Sequence, residues 1–464
     1  MRGQDRISQL PSDLLPRILS FLPIKDAVAT SILSTKWHNI WTIVPVIDAD
    51  QNSIQVDEDR FYTIVNSILR HPMAAPFPLH KFILKCDRCT SHAAINNLIQ
   101  AALDRQVKEL DLCIAPHNIV HKFPLPVEVY RNQHLKVLKF SKVRVHDNEP
   151  PGSFPPGSFP SLKNLQVDIS YACDKSLQKF YHHCPVLEEL RMEGEKNPFR
   201  KVNCQFDVSS ESLKALYIKL QSNYDVQYDD DEEEAEEIYT FKIKAKNLES
   251  LFIDEDILAD YEMEELISLV EGNIQIGWKD HQYSMGDRTF FNKAFKIIRG
   301  LTHARTLTLG ERTTGALGYA VHLNCVPDSD EDDDEDMFLW DVDVHIWDEE
   351  QVLKLCREKI PEFHHLKILN LSIGNRYGWN FLPYLLRFFP KLEMLRLEMV
   401  SVYGVDPNKR FAWHPPLEEP TCLMETIIRV EVKGFRHEDG EGWPLINYLQ
   451  EISTEIREFQ ILIE

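Results

Sequence analysis

Glycine is scarce in this chain, 17 of 464 residues, and no Gly-rich phosphate loop, G-x-S-x-G elbow or H-E-x-x-H pair occurs. These absences remove the signatures of dinucleotide-binding α/β folds, serine hydrolases and zinc proteases. No catalytic set, cofactor or metal is expected. Long apolar runs are also missing: none approaches the roughly eighteen residues that cross a bilayer, and no lipidation motif is present. A membrane partner is therefore not expected. The nine cysteines are odd in number and follow no framework, and the start MRGQDR is polar. Together they point to a reduced, intracellular protein of the cytoplasm or nucleus. Basic residues are outnumbered 51 to 73, for a net charge of -22. That balance argues against a nucleic-acid partner, since no basic stripe offsets phosphate repulsion. Residues 225–237 hold nine acidic residues and 328–336 hold eight, so the rest of the chain is close to neutral. Both runs read as solvated surface loops, with a docking arm for a basic partner as the alternative.

What is present begins with residues 5–41, three helical pieces between breakers. Leu14, Leu15, Ile18, Leu19 and Leu22 place apolar side chains on both flanks of the first piece. One face of a small bundle needs fewer, so some must meet a partner. Ala27, Val28, Ile32 and Leu33 form the second. Ser34 is placed to cap a third helix carrying Trp37, Ile40, Trp41 and Val44, with both tryptophans on one face. Pro16 falls early in the first helix, where about one backbone bond is lost if Ser12 is the cap.

At Leu10-Pro11, Asp13-Leu14-Leu15, Ile18-Leu19, Leu22-Pro23, Lys25-Asp26-Ala27-Val28, the Ser31 to Ser34 run and Trp37, the chain resembles a plant F-box. It departs at Thr35-Lys36, where two basic residues are more usual. The resemblance implies docking onto the Skp-type adaptor of a cullin-RING ubiquitin ligase. The matching contact positions are Leu10, Pro11, Leu14, Leu15, Ile18, Leu22, Val28, Leu33, Trp37 and Trp41.

A helical pattern follows at Phe61, Ile64, Val65, Ile68 and Leu69, ending at His71-Pro72. From there an apolar residue is followed at +3 and +5 by two more, starting at Leu79, Val107, Leu135, Leu162, Leu187, Leu213 and Leu248, and again at Ala304, Leu366 and Leu392. The first six starts lie 25 to 28 residues apart, within the roughly 20 to 29 of leucine-rich repeats. The long steps hold the acidic runs, a possible hidden repeat at MFLWDV (337–342), and one degenerate repeat between Leu248 and Ala304. Helical patterns alternate with the strands, among them AAINNLIQAALDRQ, SLQKFYHHC, YEMEELISLVEG, FFNKAFKIIRGL, EEQVLKLCREKI and FLPYLLRFF. Each repeat is thus strand, turn, helix, and neighbours stack into a parallel sheet with helices outside.

The last sixty residues carry a second resemblance. Trp413, Pro416, Cys422-Leu423 and VEVKGFRHEDGEGWPLINYLQEI look like the FBD domain of plant F-box proteins, with a departure at Gly442 to Pro444. The +3/+5 pattern recurs there at Ile427 and Ile456, so a strand, helix, strand unit is expected, able to cap the open end of the sheet. The fold class is α/β: a helical module at 1–50, a right-handed βα leucine-rich-repeat solenoid at 51–405 and an FBD-like C-terminal domain at 406–464.

Cys86 and Cys89 form a CxxC near His80 and His92, but no second pair follows at zinc-ribbon spacing, so idle thiols are expected. If +3 and +5 point inward, +4 and +6 stand on the open, concave face. Among those residues Arg191, Tyr217, Phe252 and Arg396 are of the types enriched in interface hot spots and are the candidate target-binding set. The expected function is that of a non-catalytic substrate receptor of an SCF-type ubiquitin ligase, holding an unknown target protein. A repeat scaffold without a ligase and a metal enzyme at Cys86 are the competing classes. Adaptor co-purification and metal content separate them.

Overall fold

The computed structural model describes residues 10–463 except 75, 117–122, 145–156, 171–176, 197–202, 223–237, 257–258, 265, 278–287, 326–348, 375, 401–414, 417–418, 436–442 and 453–455. Both acidic runs and MFLWDV therefore lie outside the described residues. The chain divides into two compact units, Met1–Gly194 and Glu195–Glu464.

The first unit opens with α1 (Leu14–Leu19) and α2 (Ile24–Ala29), followed by 3₁₀ turns at Thr30–Ile32 and Ile40–Ile43. The third α-helix expected after Ser34 does not form. The N–H groups of Trp37, Ile40 and Thr42 bond to carbonyls three residues back, on Ser34, Trp37 and Asn39, which winds the segment too tightly for an α-helix. Asp13, not Ser12, occupies the N-cap position of α1. Pro16 is thus the third helical residue, where an N–H would have no intrahelical acceptor, and no bond is lost.

Next come β1 (Val46–Asp50), α3 (Gln51–Ile54), α4 (Glu58–Leu69), β2 (Lys81–Cys89), α5 (His92–Asp104) and β3 (Glu109–Pro116). A small ribbon of β4 (Phe123–Pro124) and β6 (Val143–Arg144) flanks α6 (Val127–Tyr130) and β5 (Val137–Ser141), and β7 (Asn164–Asp168) and β8 (Glu189–Lys196) complete the unit. Strands β1, β2, β3, β5, β7 and β8 pair in that order, all parallel. Val46–Asp50, which the sequence pattern attaches to the N-terminal module, is the first strand of this sheet.

Register explains the +3/+5 rule. Leu110, Leu138, Leu165 and Leu190 stand opposite one another on successive strands, and all are buried. Each leucine packs against its equivalents in adjacent repeats, so a single repeat could not bury it. Helix α5 covers this face with Ile95, Leu98, Ile99 and Ala102.

The second unit contains β9 (Asn203–Ser209), β10 (Ala215–Ser222), β11 (Ile238–Lys244), β12 (Ser250–Glu255), β13 (Asp260–Glu264) and β14 (Glu271–Ile276). After α7 (Arg288–Arg299) come β15 (Thr306–Leu309), α8 (Glu311–Cys325), α9 (Glu349–Lys359), β16 (Ile368–Ile373), α10 (Arg376–Leu386) and β17 (Met394–Met399). It ends with α11 (Thr421–Glu425), β18 (Arg429–Phe435), α12 (Trp443–Ile452) and β19 (Glu458–Ile463). Strands β10, β12 and β14 to β19 form a parallel sheet in chain order, while β9, β11 and β13 form a second one.

Two expectations change here. The degenerate repeat between Leu248 and Ala304 is β14: Gly272 stands opposite Leu251 and Leu307, so glycine holds the +3 position and hides the pattern. A Cβ there would only just touch Leu307 and Leu301, whose side chains fill the space. Strand β15 pairs directly with β16, and the hidden repeat expected at 337–342 lies outside the described residues. YEMEELISLVEG is not a helix: Asp260–Glu264 is β13, paired with β11, and the chain then turns into β14. Cross-strand stacking of Phe206, Phe241 and Tyr261, with ring centroids 5.1 and 5.2 Å apart, outweighs the helix preference of the glutamates.

The C-terminal strand, helix, strand unit forms as expected, but it lengthens the sheet. Met394 to Glu398 pair with Arg429 to Lys433, and β19 follows as the last strand.

Helix α8 carries no clear sequence signal, having Thr313, Thr314, Gly315 and Gly318 in its first eight residues. It is held by side-chain bonds instead. Thr313 Oγ1 donates to Ile274 O at 2.9 Å and accepts from Ile276 N–H at 2.8 Å, and Thr314 Oγ1 donates to Ser372 O at 2.7 Å. Gly318 lets α10 approach, since a Cβ there would run into the Tyr377 carbonyl. Gly318→Ala should push the helices apart and cost about 1–3 kcal/mol in denaturant unfolding. Nearby, the fully buried Glu255 accepts from Ala259 N–H at 2.8 Å and from the Tyr261 hydroxyl. Burial and the facing Glu255 push that hydroxyl well above the usual tyrosine range. Tyr261→Phe should destabilise the unit by about 1–3 kcal/mol, the cost of a buried acceptor losing a partner.

Candidate functional site

The N-terminal module has a buried apolar core and, among the described residues, six exposed large apolar side chains. Leu15, Leu19, Ile24, Ala27, Trp37, Ile40 and Val44 are all buried within it. Outside that core Leu14 is 38% exposed, Ile18 41%, Phe21 87%, Leu22 39%, Ile32 86% and Leu33 65%. Leu14 and Ile18 are one helical turn apart on α1, and Phe21 and Leu22 continue from its end. Ile32 and Leu33 project where the turn at Thr30–Ile32 closes. An isolated exposed leucine is ordinary, but six large apolar side chains within twenty residues mark an interaction surface.

The structure sorts the sequence-derived adaptor set. Leu14, Ile18, Leu22 and Leu33 are on the exposed face, Pro11 is exposed, and Leu10, Val28 and Trp41 are half-buried. Leu10 O accepts from Lys36 Nζ at 2.7 Å, and Trp41 lies edge-on to His71 at 5.4 Å. Leu15, with no exposed surface, and Trp37, 3% exposed, are core residues and cannot serve as direct contacts. Trp37 and Trp41 do not share a face. Phe21 and Ile32, the two most exposed large apolar residues among those described, were not in the adaptor set, although Ile32 belongs to the apolar pattern of the second helical piece. Phe21 sits past the end of α1, and Ile32 ends a 3₁₀ turn, so helical periodicity does not show which way either side chain faces.

The second candidate surface is the helix-free face of the repeat sheets. In the second unit Tyr217 and Phe252 are paired in register, with parallel rings 4.3 Å apart. Beside them Asp254 takes an ion pair from Arg312, with Lys219 at 3.9 Å. Arg312 also donates to the carbonyls of Gly277, at 2.8 Å, and Glu255, at 3.2 Å, so Asp254 is fixed from the α8 side. Further along, Asn370 donates to Thr308 at 2.9 Å, and Arg396 donates to Glu431 at 2.8 Å. That bond and Arg429 hold the Glu431 carboxyl below the usual range. In the first unit Arg191 stands on the corresponding row of β8, 3.8 Å from Glu189 and 3.6 Å from Glu193. Arg396 is thus bonded to the largely buried Glu431, whereas the two carboxylates near Arg191 lie beyond hydrogen-bond distance.

These features match known proteins. The F-box domain family matches residues 7–47, and the family described as the LRR repeats of FBD-associated F-box protein At5g56370 matches 95–270. The F-box/FBD/LRR-repeat protein At5g22700 of Arabidopsis thaliana is 30% identical over 436 residues, covering 92% of this chain and 86% of that protein. The chain belongs to the plant F-box/FBD/LRR-repeat family. F-box/FBD/LRR-repeat protein At5g22660 of the same plant is 25% identical over 467 residues, spanning 99% of this chain and 90% of its own length. Putative F-box/LRR-repeat protein At5g41840 is 27% identical over 416 residues, 85% and 69% of the two chains.

The CxxC of this F-box/FBD/LRR-repeat protein sits at a bulge of β2, where register shifts between Cys86 and Cys89. Both thiols are buried and free. A hydrogen bond to Cys89, with burial, pushes the Cys86 thiol far above its ordinary range, and the same bond lowers Cys89. Among the described residues no group of three or more His, Cys, Asp or Glu side chains could hold a metal ion. Next to this pair Glu58, at the start of α4, gathers Thr90 N–H at 2.8 Å, Thr90 Oγ1 at 2.7 Å, Tyr62 Oη at 2.7 Å and Ser91 N–H at 3.3 Å. Burial opposes ionisation of Glu58, but these donors outweigh it and lower its pKa below the ordinary glutamate value. The lowered pKa makes its stabilisation complete above the ordinary glutamate range and lost as pH falls through the folded value. Glu58→Gln should therefore be less stable than wild type at neutral pH, with the difference shrinking in acid unfolding curves.

Proposed function

We propose that this protein is the target-binding subunit of an SCF-type ubiquitin ligase. The F-box module docks on a Skp-type adaptor and through it on a cullin-RING core, and the repeat sheets hold a target protein. One observation carries the reading: Leu14, Ile18, Phe21, Leu22, Ile32 and Leu33 remain exposed on a module whose own core is complete. Burying a leucine- or phenylalanine-sized side chain contributes roughly 1.5–3 kcal/mol, so a complementary groove would gain substantial affinity from this face. The family membership supports the same partner.

The chain itself performs no chemistry on this reading. Its contribution is proximity: a target held beside a ubiquitin-charged enzyme reacts as if at high local concentration. The target face is proposed to include Tyr217, Phe252 and Arg396 in the second unit and Arg191 in the first. The compartment proposed is the cytoplasm or nucleus. The test is co-purification of a Skp-type adaptor with the full chain, together with transfer of ubiquitin to captured proteins in a reconstituted ligase. Absence of the adaptor would leave a repeat scaffold without a ligase.

A further inference from the structure

The first residue after each repeat start lies at the rim of the sheet, where the strands begin. In the first unit these rim residues are His80, Lys108, Lys136, Lys163 and Glu188, on adjacent rungs, so the row is basic until its last member. Their order is fixed by the backbone: Lys108 N–H donates to His80 O at 3.2 Å, Lys136 N–H to Lys108 O at 2.8 Å, and Lys163 N–H to Lys136 O at 2.8 Å. The His80, Lys108, Lys136 and Lys163 side chains are all exposed. Lys163 pairs with Glu188 on the next rung at 2.5 Å. Lys108 and Lys136 have no ion-pair partner among the described residues, and Glu109, in the following row, is already engaged by Lys81 at 2.7 Å and Lys139 at 3.8 Å.

This stripe runs against the chain's charge balance of 51 basic to 73 acidic residues. It also opposes stability, because like charges facing each other on neighbouring strands repel. A bound anion would relieve that repulsion. We propose that the rim lysines Lys108, Lys136 and Lys163 capture an acidic segment of the target protein. The proposal rests on the reading of this chain as a target receptor and names the chemistry of what it receives. Rungs are about 4.8 Å apart, so the three lysines span about 10 Å, and same-side residues of an extended peptide recur every 6.6 Å or so. Two alternating carboxylates therefore fit within the span of the rim lysines. A nucleic acid does not: three cations on a chain of net charge -22 offer too little to offset a polyphosphate.

The experiment uses the full chain and a labelled peptide of alternating glutamate and glycine, with a glutamine–glycine peptide as control. The glutamate peptide should bind, more weakly as salt rises. Replacing the three lysines together, Lys108→Ser, Lys136→Ser and Lys163→Ser, should weaken it about tenfold or more, and arginine at all three positions should restore it. Lys242→Ser with Lys244→Ser, which removes lysines already paired to Glu262 and Glu264, should change nothing. Unchanged binding by the triple serine variant overturns the proposal, as does absence of binding by the wild type. So does binding that emerges only when residues 225–237 and 328–336 are deleted, because the rim would then be filled by the chain's own acidic runs. Adaptor capture by the triple variant is measured in parallel. Its loss in wild type and variant alike would refute the ligase reading without touching the rim result.

Discussion

Ile32→Asp combined with Leu33→Asp should abolish adaptor capture while leaving the unfolding temperature where it was. In the free chain both side chains stand largely in water, so carboxylates there cost almost nothing. In a complex that covers this face each charge must be stripped of water with no partner provided, at several kcal/mol apiece. A combined loss of roughly 4 kcal/mol or more corresponds to about a thousandfold in affinity. Phe21→Asp should act the same way. Leu15→Asp supplies the contrast: its side chain has no exposed surface, so the variant should lose the adaptor and the folded module together. Pull-down and thermal unfolding on the same four proteins separate the two mechanisms. Full capture by the Ile32/Leu33 double variant would place the docking face elsewhere.

The contrast between Leu15 and Leu33 shows what the sequence could and could not convey. A six-residue helix such as α1 has too few turns for periodicity to tell the face toward its own core from the face toward a partner. Sequence reasoning therefore recognised the module but mixed core residues with contacts. In the repeats the opposite holds. A strand has period two, and each +3 leucine is repeated on its neighbour, so the inward and outward rows were legible wherever the side chains were large. The pattern failed at Gly272, where neighbouring leucines supply the volume that the residue lacks. It failed again at β13, where pairing with β11 overrules local preference, and at α8, whose position depends on two threonine hydroxyls and a close approach at Gly318. Those are tertiary facts, written in no local window. Arg191, Tyr217, Phe252 and Arg396 stand on the row opposite the buried leucines, but the engagement of Arg396 has no local sequence signal: Glu431 lies 35 positions beyond it and meets it only through the pairing of β17 with β18.

That engagement shapes the second large effect. Leu190→Ala in the first unit and Leu395→Ala in the second each remove a side chain with no exposed surface from a ladder shared with adjacent strands. Each should lower the stability of its unit by about 2–5 kcal/mol, as deletion of a buried leucine does. Tyr217→Ala and Phe252→Ala lie on the opposite row, half-exposed, and lose chiefly one stacked contact, worth about 0.5–1.5 kcal/mol. Arg191→Ala should cost little, since its ion pairs with Glu189 and Glu193 are long and part-exposed and such pairs contribute little. Arg396→Ala should cost somewhat more, because Glu431 is left to Arg429 alone. Target capture should follow a different order. If the open face selects the target, Tyr217→Ala and Phe252→Ala weaken it without loss of adaptor, while the leucine variants affect it only as far as they unfold the sheet. Measuring denaturant unfolding, adaptor capture and target capture on all six variants tests both halves. Retention of full target capture by the four surface variants would remove this row from the recognition face. Stability unchanged by Leu190→Ala and Leu395→Ala would contradict the ladder itself.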